Sequence, residues 1–211
     1  GMVVVSMAIS IIIAIPLGII SALRKNSAVD HVISFLMLVI TSVPGFLVAM
    51  LMLLFLSRTI PGYQTVGTYT NTAEFIARII PPSLCLALGN VALIGRVTRN
   101  AMVEQLNSDY VITCKAKGLS MRRIVLAHTL KNSIIPVFTI SAMLVGTMIG
   151  ASVLVEQIFS LPGLGGLLST AVLRSNYPVI MALTLIILVI FQLVNLVADI
   201  LYTIIDPRIK L

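Results

Sequence analysis

The stretch 115–137 reads KAKGLSMRRIVLAHTLKNSIIPV. It places Lys115, Lys117, Arg122, Arg123 and Lys131 in one short segment of a chain that is 59% hydrophobic and only 10% charged. Long apolar runs lie on both sides of it. The polar region from about 107 to 135 is too charged to cross a hydrocarbon layer and too long for a tight turn. It therefore divides the chain into membrane-crossing parts and decides which side of a membrane they face.

A soluble domain averages about 45–50% apolar and about 25% charged residues. This chain departs from both in the direction of lipid, with a mean hydropathy of +1.13 over 211 residues. Crossing a bilayer takes roughly 20 apolar helical residues, and five runs meet that length. They cover about 2–22, 31–57, 81–106, 136–157 and 178–205. Pro16 and Gly18 fall inside the first, which membrane helices tolerate. Pro44-Gly45 predicts a kink in the second. Pro81-Pro82, Pro136 and Pro178 suit the first turns of the other three, and Asp206-Pro207 closes the fifth. The expected fold is an all-α, polytopic helical bundle forming a single transmembrane domain over 1–211, with one cytoplasmic loop at about 107–135.

Orientation follows from the basic residues. With 107–135 inside, Arg24, Lys25, Arg96, Arg99, Lys115, Lys117, Arg122, Arg123, Lys131, Arg208 and Lys210 lie inside or at the inner boundary. Only Arg58, Arg78 and Arg174 of the 14 lie outside. That asymmetry is a strong positive-inside signal, so the net charge of +7 needs no nucleic acid to explain it. The chain then starts outside and ends in the cytoplasm. It opens GMVVVS, already apolar and without a recognisable signal peptide, which leads to the expectation that it begins inside a longer protein. Cys85 and Cys114 have no metal-ligand or disulfide spacing.

The loop carries helical signals of its own. Val111, Cys114, Leu119, Ile124, Val125, Ala127, Leu130 and Ile134 recur at mixed three- and four-residue spacings. Gly118 can take the left-handed conformation that ends one helix. Ser120 can cap the next by accepting from an amide two or three residues on. The expectation is two short amphipathic helices hinged at Gly118. A basic surface of this kind serves either anionic lipid headgroups or a groove on a cytoplasmic protein.

The segment YVITCKAKGLSMRRIVLAHTLKNSIIPV (110–137) closely resembles the cytoplasmic loop of ATP-binding-cassette importer permeases of the dipeptide/oligopeptide/nickel branch. Three more stretches resemble that branch in the same order: IPLGIISALRKNSAVD (15–30), VEQIFSLPGLGGLL (155–168) and NYPVIMALTLIILVIFQLVNLVADILYTIIDPRIKL (176–211). The resemblance implies a type I importer permease fold, of which five spans are expected here and the first of the usual six is expected to be absent. It implies that the loop docks on an ATPase subunit through Lys115, Ala116, Lys117, Gly118, Leu119, Ser120, Arg122 and Arg123. The family's key glycine falls on Gly118, and its Glu-Ala-Ala positions fall on Ile112, Thr113 and Cys114, none of which is Glu. Lys131 stands where related permeases often have proline. Further implications are a homologous second permease, two cytoplasmic ATP-binding subunits that use ATP and magnesium, and an extracytoplasmic substrate-binding protein. The function implied is half of a pathway across the cell membrane for peptides, with nickel or glutathione as alternative cargo.

Other residues stand out on chemical grounds. Glu156 ends the fourth span, and a carboxylate near membrane depth is a functional candidate by default. Pro162, Gly163, Gly165 and Gly166 are expected to break the helix after it, so that 158–175 forms an outer gate with Glu156, Pro162, Gly163 and Gly165. Gln192, Asn195 and Asp199 share a face of the last span, at a spacing that suits hydrogen bonding between helices. Gly146 and Gly150 form GxxxG, a weak signal for close helix approach. His31, His128 and the 10 methionines show no metal-binding pattern. No glycine precedes a lysine, so a phosphate-binding GxxxxGK[ST] loop does not occur, nor do GxSxG or HExxH. The chain is therefore not expected to be an enzyme or to bind a cofactor. Two rival classes are a secondary transporter, which calls for paired intramembrane ionisable groups or an inverted repeat, and an intramembrane enzyme, which calls for a convergent catalytic set; the sequence shows none of these.

Overall fold

Serines, not leucines, line the inside of this molecule. Ser6, Ser10, Ser21, Ser83, Thr98, Thr129 and Ser133 are buried, while Val4, Ile12, Phe35, Leu36, Phe55, Leu185 and Val189 are exposed. Water inverts that arrangement in soluble proteins. In lipid, helices gain nothing by hiding leucine from an equally apolar solvent, so small residues that permit close approach move inward. The computed structural model describes residues 1–60 and 72–205, and every regular element among them is helical.

The elements are α1 (Met2–Leu23), α2 (Ala28–Ser42), α3 (Gly45–Thr59), α4 (Thr72–Leu106), α5 (Asp109–Ala116), α6 (Met121–Ile124), α7 (Leu130–Ile158), α8 (Leu164–Leu173) and α9 (Tyr177–Ile205). A π-helical turn, Val125–Thr129, joins α6 to α7 without a break. Among the described residues, four helical stretches are long and apolar enough to cross a membrane: Met2–Leu23, Arg78–Leu106, Met121–Ile158 and Tyr177–Val197. The α2–α3 pair makes a fifth if it is counted as one span.

The expected second span is the largest departure from the sequence reading. The predicted kink at Pro44-Gly45 is a break, with α2 and α3 meeting at 94°. Neither Val43 nor Pro44 is helical: they lie at φ −93°, ψ 125° and φ −58°, ψ 132°. Proline disfavours helical geometry in the residue before it, and Pro44 has no N–H to continue the ladder. Each half has 15 residues, about 22 Å of helix, which is short of a hydrocarbon core of about 30 Å.

Two other boundaries move. Pro81 and Pro82 lie inside α4 instead of in its first turn, because α4 already begins at Thr72. Pro136 likewise lies inside a helix. The stretch Met121–Ile158 runs 38 residues, about 57 Å, far more than a bilayer needs. The expected closing signal Asp206-Pro207, with Arg208 and Lys210, lies outside the described residues.

α1 and α4 form the heart of the bundle. Ser6, Ser10, Ala14, Gly18 and Ala22 recur every four residues on α1 and are buried together. A Cβ on Gly18 would lie 2.6 Å from Thr98 Cβ and 2.8 Å from the Gly95 carbonyl oxygen. The buried hydroxyls at this crossing are satisfied: Ser10 Oγ donates to Ser6 O at 2.8 Å and lies 3.2 Å from Ala87 O on α4, and Thr98 Oγ1 donates to Ile94 O at 2.8 Å. Replacing Gly18 with valine should therefore force the two helices apart. Overpacking of this kind costs about 1–3 kcal/mol, read as a lower midpoint of thermal unfolding in detergent, and Gly18→Ala should lie between valine and wild type.

The two ends of the bundle are distinct. Ala22, Met102 and Val125 pack together where α1 and α4 finish and α7's helical stretch starts. Met2, Ala49, Cys85, Leu86, Met148, Val155 and Phe159 pack at the other end. Arg24, Lys25, Lys115, Lys117, Arg122 and Arg123 all follow or precede elements of the first end, which is the basic end.

Candidate functional site: the basic elbow and the hairpin at the opposite end

α4 delivers the chain into the elbow through only two residues. Asn107 N–H donates to Glu104 O, Ser108 N–H to Gln105 O, and Ser108 Oγ to Gln105 O at 2.6 Å. α5 then runs to Ala116 and stops in a complete glycine C-cap. Gly118 has φ +76°. Its N–H donates to Lys115 O at 2.9 Å, and the Leu119 N–H reaches back to Cys114 O at 3.2 Å. That pair of bonds satisfies the last carbonyls of α5 and is the usual pattern for a helix ending on a left-handed glycine.

Two parts of the elbow differ from the expectation. Ser120 occupies the N-cap position of α6 with extended geometry, but its hydroxyl makes no capping bond. The second short helix is not separate either. α6 has four residues and continues through the π-turn into α7. The π-turn has a packing reason: it sets a five-residue step from buried Ile124 to buried Thr129, after which Ser133, Val137 and Ser141 are buried at four-residue intervals. One extra residue re-phases the helix so that its small-residue stripe faces the bundle. Of the apolar positions expected to form a stripe on the loop, Val111, Ile124 and Val125 are buried, whereas Ala127 and Ile134 are exposed.

Lys115, Ala116, Lys117, Gly118, Ser120, Arg122 and Arg123 are all exposed, and Leu119 is half-buried. Ile112, Met121 and Leu126 are exposed among them, at 65%, 43% and 56%. The elbow thus presents a basic rim around apolar side chains at the tip of a stiff helical connection.

The sequence reading missed the charge pair behind the elbow. Asp30 in α2 is 2% exposed. Arg99 in α4 grips it with both arms of its guanidinium: Nε donates to Oδ1 at 2.7 Å and Nη2 to Oδ2 at 2.6 Å. Ser21 Oγ donates to Oδ1 at 2.5 Å, and the Asn26 N–H to Oδ2 at 2.9 Å. One carboxylate therefore ties the end of α1, the turn after it, the start of α2 and the last third of α4. The signal was partly legible, since an aspartate in an otherwise basic inner boundary calls for a partner, but sixty-nine residues separate the two.

At the opposite end, α7 and α8 form a hairpin. α7 ends at Ile158 because Ser160 takes a left-handed conformation, φ +49°. Ser160 N–H donates to Gln157 O and Leu161 N–H to Glu156 O at 2.9 Å. Pro162 and the glycines therefore do not break the helix; it has already ended. Gly163 is the N-cap of α8, and Gly165 and Gly166 lie in its first turn. Phe159, 1% exposed, anchors the turn in the core.

Glu156 has a definite partner. Its Oε2 accepts from the Gly165 N–H at 2.9 Å, so a carboxylate from α7 caps the amide end of α8, where a helix dipole favours negative charge. A side chain on Gly165 would meet the α7 backbone at Val153 Cα, 2.6 Å away. One on Gly163 would collide with Glu156 itself. Glu156, Pro162, Gly163 and Gly165 are thus brought together, along a cavity of about 370 Å³ also lined by Ser152, Ile187 and Ile190. Glu156→Ala should loosen α8 by about 1.5–3 kcal/mol, the range for a hydrogen bond to a charged group. Faster labelling of single cysteines in 164–173 would register it, with Glu156→Gln intermediate.

The GxxxG reading is half met. Gly146 is buried against Asn195 and Phe191 of α9, whereas a Cβ on Gly150 would meet open space. Gln192 is exposed, and the side chain of Asp199 lies outside the described residues. His31 and His128 are exposed. Among the described residues no three of His, Cys, Asp or Glu converge as metal ligands.

Residues 14–211 match the family described as "Binding-protein-dependent transport system inner membrane component". The chain is 39% identical over 211 residues to the "Oligopeptide transport system permease protein AppB" of Bacillus subtilis, covering 98% of this chain and 67% of that protein. It is 40% identical over 209 residues to a putative peptide permease of Brucella suis, covering 97% and 66%. It is 36% identical over 203 residues to the "Dipeptide transport system permease protein DppB" of Bacillus subtilis, covering 96% and 64%. The chain spans about two thirds of the length of these relatives. Its fold matches a chain of the inward-facing MetNI methionine ABC transporter with a TM-score of 0.77 at 19% identity, over 97% of this chain and 91% of that one. This is a type I importer permease fold, and the chain belongs to the family of binding-protein-dependent transport system inner membrane components.

Proposed function

We propose that this chain is the membrane-embedded permease subunit of an ATP-driven importer of peptides. The observation that carries the reading is identity of 36–40% over nearly the whole chain to proteins named as oligopeptide and dipeptide permeases. Peptides are favoured over nickel or glutathione because those names specify peptides. The elbow at 107–135 faces the cytoplasm, and the C-terminus lies on the same side. Lys115, Ala116, Lys117, Gly118, Leu119, Ser120, Arg122 and Arg123 form the docking face for an ATPase subunit. That subunit, one of two, binds ATP and magnesium. A second homologous permease completes the pathway, and an extracytoplasmic binding protein delivers cargo.

The mechanism is alternating access. ATP shifts the equilibrium only through its greater affinity for the closed ATPase pair. Closure moves the docking faces, and the stiff turns at 107–108 and 118–120 pass the movement into α4 and the long α6–α7 helix. At the other end, the Glu156-capped hairpin over 158–175 acts as an outer gate element. Labelling of cysteines there should differ between nucleotide-free and ATP-trapped complexes; equal labelling would remove the gate role.

Energy source gives the direct test. Peptide uptake by cells carrying the complete system should persist when the proton gradient is collapsed with ATP maintained, and stop when ATP is exhausted. The opposite pattern would indicate a secondary transporter.

A further inference from the structure

A buried ion pair is poor evidence for stability, because the cost of removing two charges from water roughly cancels their attraction. What such a pair supplies is geometry. The Asp30–Arg99 fork constrains the orientation of α2 on α4, since two parallel N–H···O bonds from a planar guanidinium fix direction as well as distance. Its surroundings are equally constrained. Gly18 of α1 lies against Thr98, the residue before Arg99. Met37 of α2 covers Gly95, and its terminal methyl fills the place a Cβ would take there. Arg99 lies seven residues before the end of α4 at Leu106, about 10 Å along the helix from the point where the chain turns into α5.

From this placement we infer that Asp30 and Arg99 are positioning residues for coupling. They lock the ends of α1 and α2 to the last third of α4, so that displacement of the elbow moves three helices as one body. Without the lock, α4 would take the displacement alone, and α1 and α2 would slip against it. The inference rests on the permease reading. It assigns a coupling role to side chains that touch neither the ATPase nor the cargo.

The test separates positioning from stability. The double variant Asp30→Asn/Arg99→Met removes both charges together and leaves no buried ion unpaired. The side-chain oxygen of the introduced asparagine can replace Oδ2 as acceptor for the Asn26 amide, its NH2 can donate to Ser21 Oγ, whose hydroxyl turns to accept, and methionine refills the stem of the arginine. Arg99→Lys keeps the charge and removes the fork. Each is assembled with its partner permease, ATPase subunits and binding protein in proteoliposomes. ATP hydrolysis is read with and without the binding protein as purified from the host, and the melting midpoint of the complex is read alongside.

The double variant should melt within a few degrees of wild type and lose about tenfold of the stimulation by binding protein, within the range of coupling between linked sites. Arg99→Lys should lie between them. Stimulation fully retained in either variant would overturn the lock. If the double variant fails to assemble, Arg99→Lys decides alone, since a merely structural pair would return full stimulation wherever the complex assembles. A wild-type complex that shows no stimulation at all would instead overturn the permease reading, so the two failures are distinct.

Discussion

Gly118→Pro is expected to abolish transport while leaving the protein in the membrane. Gly118 holds φ +76°, and proline fixes φ near −65°. Proline also deletes the N–H that donates to Lys115 O. The elbow would have to rebuild around the changed φ, and α5 would lose its orientation to the start of the long helix. None of the apolar spans would be touched, so membrane yield should be near wild type. Two further substitutions separate backbone geometry from crowding. Asparagine tolerates the left-handed region, and nothing lies within 4 Å of a Cβ at this position. Gly118→Asn should therefore retain most uptake. Gly118→Trp meets no neighbour in the isolated subunit either, but it adds the strain of a bulky residue at positive φ, projects from the docking face and should block binding of the ATPase. Normal co-purification of Gly118→Trp with the ATPase would place the docking face elsewhere.

Arg99→Leu is expected to cause the largest single loss of stability. It strands Asp30, whose side chain is 3% exposed, as a buried charge without its counter-ion. Breaking one side of such a pair costs about 3–5 kcal/mol, more than any substitution at the helix crossings. Ser21 Oγ and the Asn26 amide would remain as partners, which sets the loss below that of a fully isolated carboxylate. The measurement is the unfolding midpoint in detergent. Adding Asp30→Asn to Arg99→Leu should recover most of the loss, because it removes the stranded charge. A double variant no more stable than Arg99→Leu would show that the arginine acts through packing of its stem instead of through its charge.

Much of this protein was legible in its composition. Run length and the scarcity of charge give the membrane helices, and the distribution of Lys and Arg separates the basic end from the other. Gly118 was legible because a left-handed C-cap favours one residue type. Ser6, Ser10, Ala14, Gly18 and Ala22 were legible in principle: a strict four-residue repeat of small residues marks a packing face, and it was hidden only by the louder apolar signal around it. The hairpin at Ser160 was not legible. Serine rarely adopts positive φ, so attention goes to Pro162 and the glycines, although local capping bonds end α7 before they are reached.

Sequence alone determined which parts of the chain enter lipid, where its charged elbow lies and that the elbow turns at a glycine. These depend on local energies, namely transfer of side chains and backbone preference, which act residue by residue. Tertiary structure alone decided the 94° break between α2 and α3, the pairing of Asp30 with Arg99 and the capping of α8 by Glu156. The last two are contacts between groups on different elements, and even the break at Pro44 needed the neighbouring helices to settle how far it would bend. Whether a buried charge finds its counter-ion depends on how whole helices pack, and that packing is a property of the assembled bundle.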